Sequence, residues 1–378
     1  MTAENTRPKL SSALDGCTIV IAVDRRAGEL AAALERHGAT VRQAPALTII
    51  PHIDDDALLG ATRALIASPP DVVVATTGVG FRGWIEAAHE ADLADQLQAA
   101  LENAQIVARG PKARGAVQQA GFTVDWVAES ETARELGEFL LAESVNGKRV
   151  AVQHHGSGAD GLDELFTSHG ADVVSLTVYR WGPPPNPDVV RHSVIQAAAG
   201  DVDAVMFTSA PGTSEWLAEA ERAGVIGDIR RRAEKGRLVM AAVGPITVTP
   251  LDNADIPAIV AERGRLGSLV RSVVTHFGGG SAPGLDTVRG RIEMRSSGVV
   301  LAGTYIPLSP TSTAIIGALF DAGGAVIPRR DLHGVLPRSS RNTHAVEMAI
   351  ARLRESMGFP DIVKTVVKRG YRLNVEDL

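Results

Sequence analysis

The chain holds 378 residues, 45% of them hydrophobic and 22% charged. That length exceeds one ordinary domain, and that apolar share supports packed cores and excludes a disordered chain. No apolar run is long enough to span a bilayer, and the polar start Met1–Ser12 lacks the apolar stretch of a secretory signal, so a cytoplasmic protein without membrane association is expected. The one cysteine, Cys17, excludes an internal disulfide and opens an apolar run, as a buried inert thiol would. The net charge of −6 is unevenly spread: from Arg289 onward 13 Lys and Arg face 8 Asp and Glu, net +5, whereas the preceding residues carry 25 against 36, net −11. A basic end on an acidic chain is the footprint of a nucleic-acid-binding segment.

An internal repeat organises the first part. Gly16 opens GCTIVIAVDRRAGELAAALERHGATV and Gly147 opens GKRVAVQHHGSGADGLDELFTSHGADV, each read as strand, turn, amphipathic helix, glycine stop and strand. Leu34 and Phe166 take the same helical position, and Gly38 and Gly170 end the two helices. DVVVATTGVGFRGWIEAA from Asp71 pairs with DAVMFTSAPGTSEWLAEA from Asp203, and the segment around Gly110 pairs with that around Gly244. Three matches in one order at nearly constant offset predict two similar α/β lobes. Short apolar runs such as Val72–Val74 and Val150–Val152 read as buried parallel strands of doubly wound sheets, whose ligands gather at the strands' carboxyl ends. The Pro-rich stretch Gly182–Pro187 marks a crossing between lobes, and GGGSAPG, Gly278–Gly284, reads as a flexible linker.

After the linker, extended segments are expected around Ile292–Met294, Val299–Leu301 and Tyr305–Leu308. Ser309 as N-cap and Pro310 at the first helical position start a helix with Ile315, Ile316, Leu319 and Phe320 on its apolar face, ended by Gly323–Gly324. A short second helix follows Pro328. A third runs from about Asn342 to Met357, with Val346, Ile350, Leu353 and Met357 inward and His344, Met348, Ala351, Arg352 and Glu355 outward. IVKTVVKR and GYRLNV close the chain as a hairpin about Lys368-Arg369-Gly370. Small β pieces, three helices and a terminal hairpin make a winged helix-turn-helix.

The pattern IPLSP, ALFDAGGAVIPRRDL, HAVEMAIARLRESMG and IVKTVVKRGYRL resembles the effector domain of OmpR/PhoB-type response regulators over nearly all of Arg289–Leu378. The resemblance implies a third helix in the major groove of double-stranded DNA and a wing at the adjacent minor groove. Arg329, Arg330, Arg341, Asn342, His344, Met348 and Arg352 are then the candidate DNA contacts on the helices, and Lys364, Lys368 and Arg369 those on the wing. Arg354 is expected in an ion pair inside the module, and Tyr371 in its core. A homo-oligomer on repeated half-sites is expected, because one winged helix makes few contacts.

The front region shows no receiver domain with a phosphorylatable Asp. With TTGVG at Thr76, RGPKA at Arg109, VYRW at Val178, FTSAPG at Phe207 and VGPIT at Val243, residues from about Asp15 to Phe277 resemble uroporphyrinogen-III synthase. That resemblance implies a bilobal domain over 15–277, with lobe one at about 15–45 plus 182–277 and lobe two at about 50–176. A flexible linker over 278–288 and a winged-helix domain over 289–378 follow. It also implies a cofactor-free cyclisation of hydroxymethylbilane, a polycarboxylate, with inversion of one ring. Helix N-termini suit such a ligand, since their free N–H groups and dipole favour carboxylates. Thr76, Thr77 and Gly78, His155, Ser157 and Gly158, Thr208 and Ser209, and Gly244 stand where such termini should lie, although each reads equally as a plain cap or turn. Arg109 and Lys112 are cationic candidates for acidic ligand groups. Tyr179 takes the position of the tyrosine thought to help the hydroxyl leave, and AVDR, Ala22–Arg25, departs from the Thr-Arg often found there. The pair His154-His155 finds no further ligands at metal spacing, so no metal is expected.

Three readings stay open. In the first, the synthase-like domain senses a tetrapyrrole or similar polycarboxylate and biases DNA binding. This arrangement resembles actinobacterial regulators of nitrate and nitrite assimilation. In the second the chain is a working synthase with a DNA-binding tail. In the third the front region is a scaffold for a partner transcription factor.

Overall fold

The computed structural model describes residues 9–23, 26–51, 56–154, 156, 160–336 and 344–376. The chain divides into two compact units: one comprises the residues up to Leu47 together with Pro183–Leu378, the other Thr48–Gly182. In chain order the first unit begins with β1 (Thr18–Ile21), α1 (Ala27–Glu35) and β2 (Thr40–Gln43). The second runs through β3 (Thr48–Pro51), α2 (Asp56–Ala67), β4 (Val72–Ala75), α3 (Gly78–Glu90), α4 (Ala94–Leu101) and β5 (Gln105–Ala108). It continues with α5 (Pro111–Gln119), β6 (Trp126–Val127), α6 (Ala133–Ala142), β7 (Arg149–His154), α7 (Leu162–Ser168), β8 (Asp172–Thr177) and β9 (Tyr179–Gly182). The chain then rejoins the first unit with α8 (Pro187–Ala199), β10 (Ala204–Phe207), α9 (Ala210–Arg222), α10 (Ile226–Glu234), β11 (Val239–Ala242), α11 (Pro245–Asn253), β12 (Ala258–Val260) and α12 (Leu266–Gly278). No described helix is long and apolar enough to cross a membrane.

Each unit is built on a five-stranded parallel sheet, ordered β12-β11-β10-β1-β2 in the first and β6-β5-β4-β7-β8 in the second. Matched through the sequence repeat, the two orders are the same. Both sheets are doubly wound. Ile19 and Ile21 enter one core and Val20 another on the opposite face, just as Val73 and Ala75 face away from Val72 and Val74. A strand buried on both faces needs apolar residues at every position, which is why VVVA and AVMF read as continuous runs. The repeat extends to buried polar contacts. The Trp84 indole N–H donates to Thr62 Oγ1, and that of Trp216 to Ser193 Oγ, both at 3.0 Å. Cys17 is buried, and its thiol pKa is raised by that burial, so it is inert at neutral pH.

The first unit also carries the C-terminal module: β13 (Gly284–Thr287), β14 (Gly290–Arg295), β15 (Gly298–Leu301) and β16 (Thr304–Pro307) in an antiparallel sheet, then α13 (Pro310–Asp321), α14 (Arg329–Val335), α15 (Ala345–Met357), β17 (Val363–Val366) and β18 (Gly370–Leu373). Ser309 caps α13, its Oγ accepting from Ser312 N, and one apolar core joins the sheet, the three helices and the hairpin. This is the expected winged helix-turn-helix. The stretch 278–288, expected to be a flexible linker, is corrected in part. Gly278 ends α12 and Gly284–Thr287 is a strand, because Val288 and Arg289 turn the chain back so that β13 pairs with β14. Glycine composition concealed a hairpin.

Candidate ligand site and nucleic-acid interface

In the second unit the carboxyl ends of β4, β5 and β7 carry the predicted residues. Thr76 is buried and donates from Oγ1 to the Gln153 carbonyl at 2.7 Å. Thr77 caps α3, its Oγ1 accepting from Gly80 N at 3.1 Å, and its own N–H donates to Gln153 Oε1. A Cβ on Gly78 would collide with the Lys112 carbonyl, so glycine lets α3 and α5 approach closely. These three residues therefore serve the fold first. α5 differs: Gly110 takes the N-cap position with Pro111 following and no side-chain cap, so its first-turn N–H groups keep their capacity for an acceptor. Lys112 is exposed in that turn. Arg109, half-buried just before it, lies among Tyr179, Asp160 and Glu131; burial lowers its pKa, and those three groups oppose the shift. Tyr179 is buried at the start of β9, edge-on to Trp181 with centroids 5.5 Å apart. A Cβ on Gly156 would strike its ring, which fixes glycine there. His155, Ser157 and Gly158 lie outside the described residues.

His154 belongs to this region, and the sequence reading set it aside. It is buried at the end of β7, with Nδ1 3.1 Å from Asp160 and Nε2 2.8 Å from Asp163. Burial alone would lower its pKa, but the two carboxylates outweigh that and raise it to about 9. Both ring nitrogens donate, so the group is an imidazolium locked by charge rather than a metal ligand. Among the described residues no cluster of three or more ligating side chains could hold a metal. Nothing in the spacing of His154, Asp160 and Asp163 advertised the contact.

In the first unit Ser209 caps α9, its Oγ accepting from Gly212 N at 3.3 Å, and Thr208 is half-buried beside it. Gly244 takes the same place as Gly110, an N-cap followed by proline without a side-chain cap, here on α11. At the matched strand ends the repeat thus pairs a side-chain-capped helix, α3 or α9, with one that has no side-chain cap, α5 or α11, and the latter are suited to carboxylates. Asp24 and Arg25 of the departing AVDR segment lie outside the described residues.

On the module, Met348 and Arg352 are exposed on α15, and Lys364, Lys368 and Arg369 are exposed on the hairpin, where Lys368 has φ of 61° in the turn. His344 is exposed at the N-cap of α15, one residue before the helix begins at Ala345. Arg341 and Asn342 lie outside the described residues. Arg329 is tied within the module, 3.1 Å from Glu347 and over the Tyr371 ring, and Arg330 meets Asp331 at 3.3 Å. Arg354 is held inside the module, although its partners are the Val363 carbonyl and Thr365 Oγ1 rather than a carboxylate. Tyr371 is core, as expected. Val367, 78% exposed at the hairpin tip, escaped the sequence reading. Exposed cations on one helix and one hairpin can neutralise phosphates while the helix reads base edges.

A family model described as uroporphyrinogen-III synthase HemD matches residues 28–271, and one described as transcriptional regulatory protein, C terminal, matches residues 303–373. The chain is similar to a mutant uroporphyrinogen III synthase from the extremely thermophilic bacterium Thermus thermophilus, at 26% identity and a TM-score of 0.56, over 68% of this chain and 97% of that one. It is 26% identical to a Bacillus subtilis (strain 168) protein described as uncharacterized protein YjjA, over 71% of this chain and 98% of that one. It is 29% identical to a putative uroporphyrinogen-III synthase from Methanothermobacter thermautotrophicus, over 45% of this chain and 65% of the other.

Proposed function

The chain belongs to the uroporphyrinogen-III synthase HemD family and carries an OmpR/PhoB-type regulatory domain at its C-terminus, and from that pairing we propose that it is a ligand-responsive transcription regulator. In this reading the synthase-like region binds a tetrapyrrole or similar polycarboxylate at the strand ends of the second unit around Gly110, with Arg109 and Lys112 as its cations. Binding biases how the winged helix engages its operator, as an oligomer, in the control of nitrate and nitrite assimilation.

The observation that carries the proposal is a buried fastening between the lobe and the module. The Asp203 carboxylate accepts from Thr18 N at 2.7 Å and from Ser296 N at 2.8 Å, so one buried group ties β1, β10 and the β14–β15 turn together. Ser296 Oγ donates to Thr18 Oγ1, and Ser297 Oγ to the Gly16 carbonyl at 2.9 Å. Gly16, at φ of 76°, has no room for a Cβ against the Tyr305 ring. A module tethered by a loose linker would be insensitive to the lobe; a module fixed by buried bonds reports its state, because a ligand that favours one state of the lobe favours one placement of the module.

A retained Tyr179 beside Arg109 favours a second reading, an active synthase, in which the phenol donates a proton to the departing hydroxyl. Incubating the purified chain with hydroxymethylbilane separates the two. The regulator reading expects little turnover, with uroporphyrinogen III still raising the unfolding temperature. Efficient turnover that falls at least tenfold in Tyr179→Phe, with no ligand effect on DNA binding, would establish the synthase instead.

A further inference from the structure

Beside the Asp203 fastening lies a cavity of about 490 Å³. Arg232 and Arg237, flanking the end of α10, line it from the lobe, and Arg295, Thr313 and Asp321 line it from the module. Asp203 immediately precedes β10, so the cavity sits at the amino ends of the strands, whereas Thr208, Ser209 and Gly244 lie at their carboxyl ends.

The cavity's arginines are not equally satisfied. Arg237 pairs with Asp321 at 2.6 Å, and Arg295, 1% exposed, pairs with Glu293 at 3.1 Å. Arg232 is half-buried and, among the described residues, is in ion-pair contact with no carboxylate; its hydrogen bond runs to the Arg237 carbonyl, and its Nε has no partner. Burial and the like charge of Arg237 lower its pKa, against the opposing pull of Asp203, Asp321 and Asp201. Arg295 Nε and Thr313 Oγ1 on the module side are likewise buried without partners. A guanidinium removed from water needs a counter-charge, and its planar fork fits an oxyanion through two parallel bonds.

We propose that this cavity binds a small oxyanion, a phosphoryl or carboxylate group held by Arg232 between the synthase-like lobe and the winged-helix module. No residue of α15 or of the β17–β18 hairpin lines it. The site is a second input to the module, separate from the strand-end site proposed above and independent of it.

Titration calorimetry on the full chain tests this with inorganic phosphate and citrate, each at constant ionic strength set with chloride. At least one of the two binds the wild type; phosphate alone assigns a phosphoryl ligand, citrate alone a carboxylate. Arg232→Gln weakens that binding at least tenfold. Asp321→Asn removes a partly exposed negative charge from the wall and tightens it about fivefold, a sign that no purely structural role predicts. Because Asp321 is 44% exposed, this variant keeps the fold and decides the question even where Arg232→Gln destabilises the chain. No binding of either anion, equal affinity in wild type and Arg232→Gln, or affinity unchanged or weakened by Asp321→Asn overturns the proposal.

Discussion

His154 holds a charge that its burial opposes, and the pair Asp160 and Asp163 is what keeps it. Its pKa is about 9 in the folded chain against about 6.5 unfolded. The stabilisation is therefore fully present below pH 6.5 and is lost as pH rises through 9, on the order of 3 kcal/mol. Urea midpoints of wild type should fall across that window, and those of His154→Gln should be flatter; parallel profiles would exclude the locked imidazolium. Asp203 offers a comparison internal to the repeat. Asp71 occupies the same position in the second unit and accepts from Arg149 N at 2.7 Å, but it is exposed. Asp203→Ala should cost about 3–5 kcal/mol, and Asp71→Ala about 1–2 kcal/mol. Equal losses in chemical denaturation would mean that the module contributes nothing to the burial of Asp203. The repeat made the match of these aspartates legible. It did not reveal their difference, because Ser296 and Ser297 read as ordinary turn residues until the module is placed against the lobe.

At the scale of elements, helix and strand positions were the most readable part of the chain. Apolar periodicity, the Ser309-Pro310 start and the glycine stops at Gly38 and Gly170 each have a local physical cause, and the structure keeps them. β13 was missed because a four-residue strand in a Gly, Ser and Pro stretch is defined by its partner β14 rather than by its own pattern. It also meets the chain's end, with Val288 N donating to the Asn374 carbonyl and Glu376 N to that of Asp286. A fragment starting at Arg289 loses this strand. Within the module, Arg352→Ala on α15 should relax site preference by about 1–3 kcal/mol between matched and mismatched operators. Lys368→Ala with Arg369→Ala on the hairpin should weaken binding to all duplexes alike and reduce the salt slope by about two. Titrations on operator and scrambled duplexes at several salt concentrations check both; an Arg352 variant with unchanged preference would show that α15 does not read the groove.

For the whole molecule, the account is one of linkage between a HemD-family region and a winged helix held on one of its lobes by Asp203, Ser296 and Gly16. A ligand that prefers the placement of the module that DNA also prefers raises DNA affinity, and DNA then raises ligand affinity by the same factor. The most direct measurement is the Kd of the full chain for its promoter duplex at fixed salt, with and without saturating uroporphyrinogen III, together with the reverse titration on and off DNA. The account predicts a change of at least fivefold in the first and the same factor in the second. Tight binding of the tetrapyrrole with DNA affinity unchanged would contradict it.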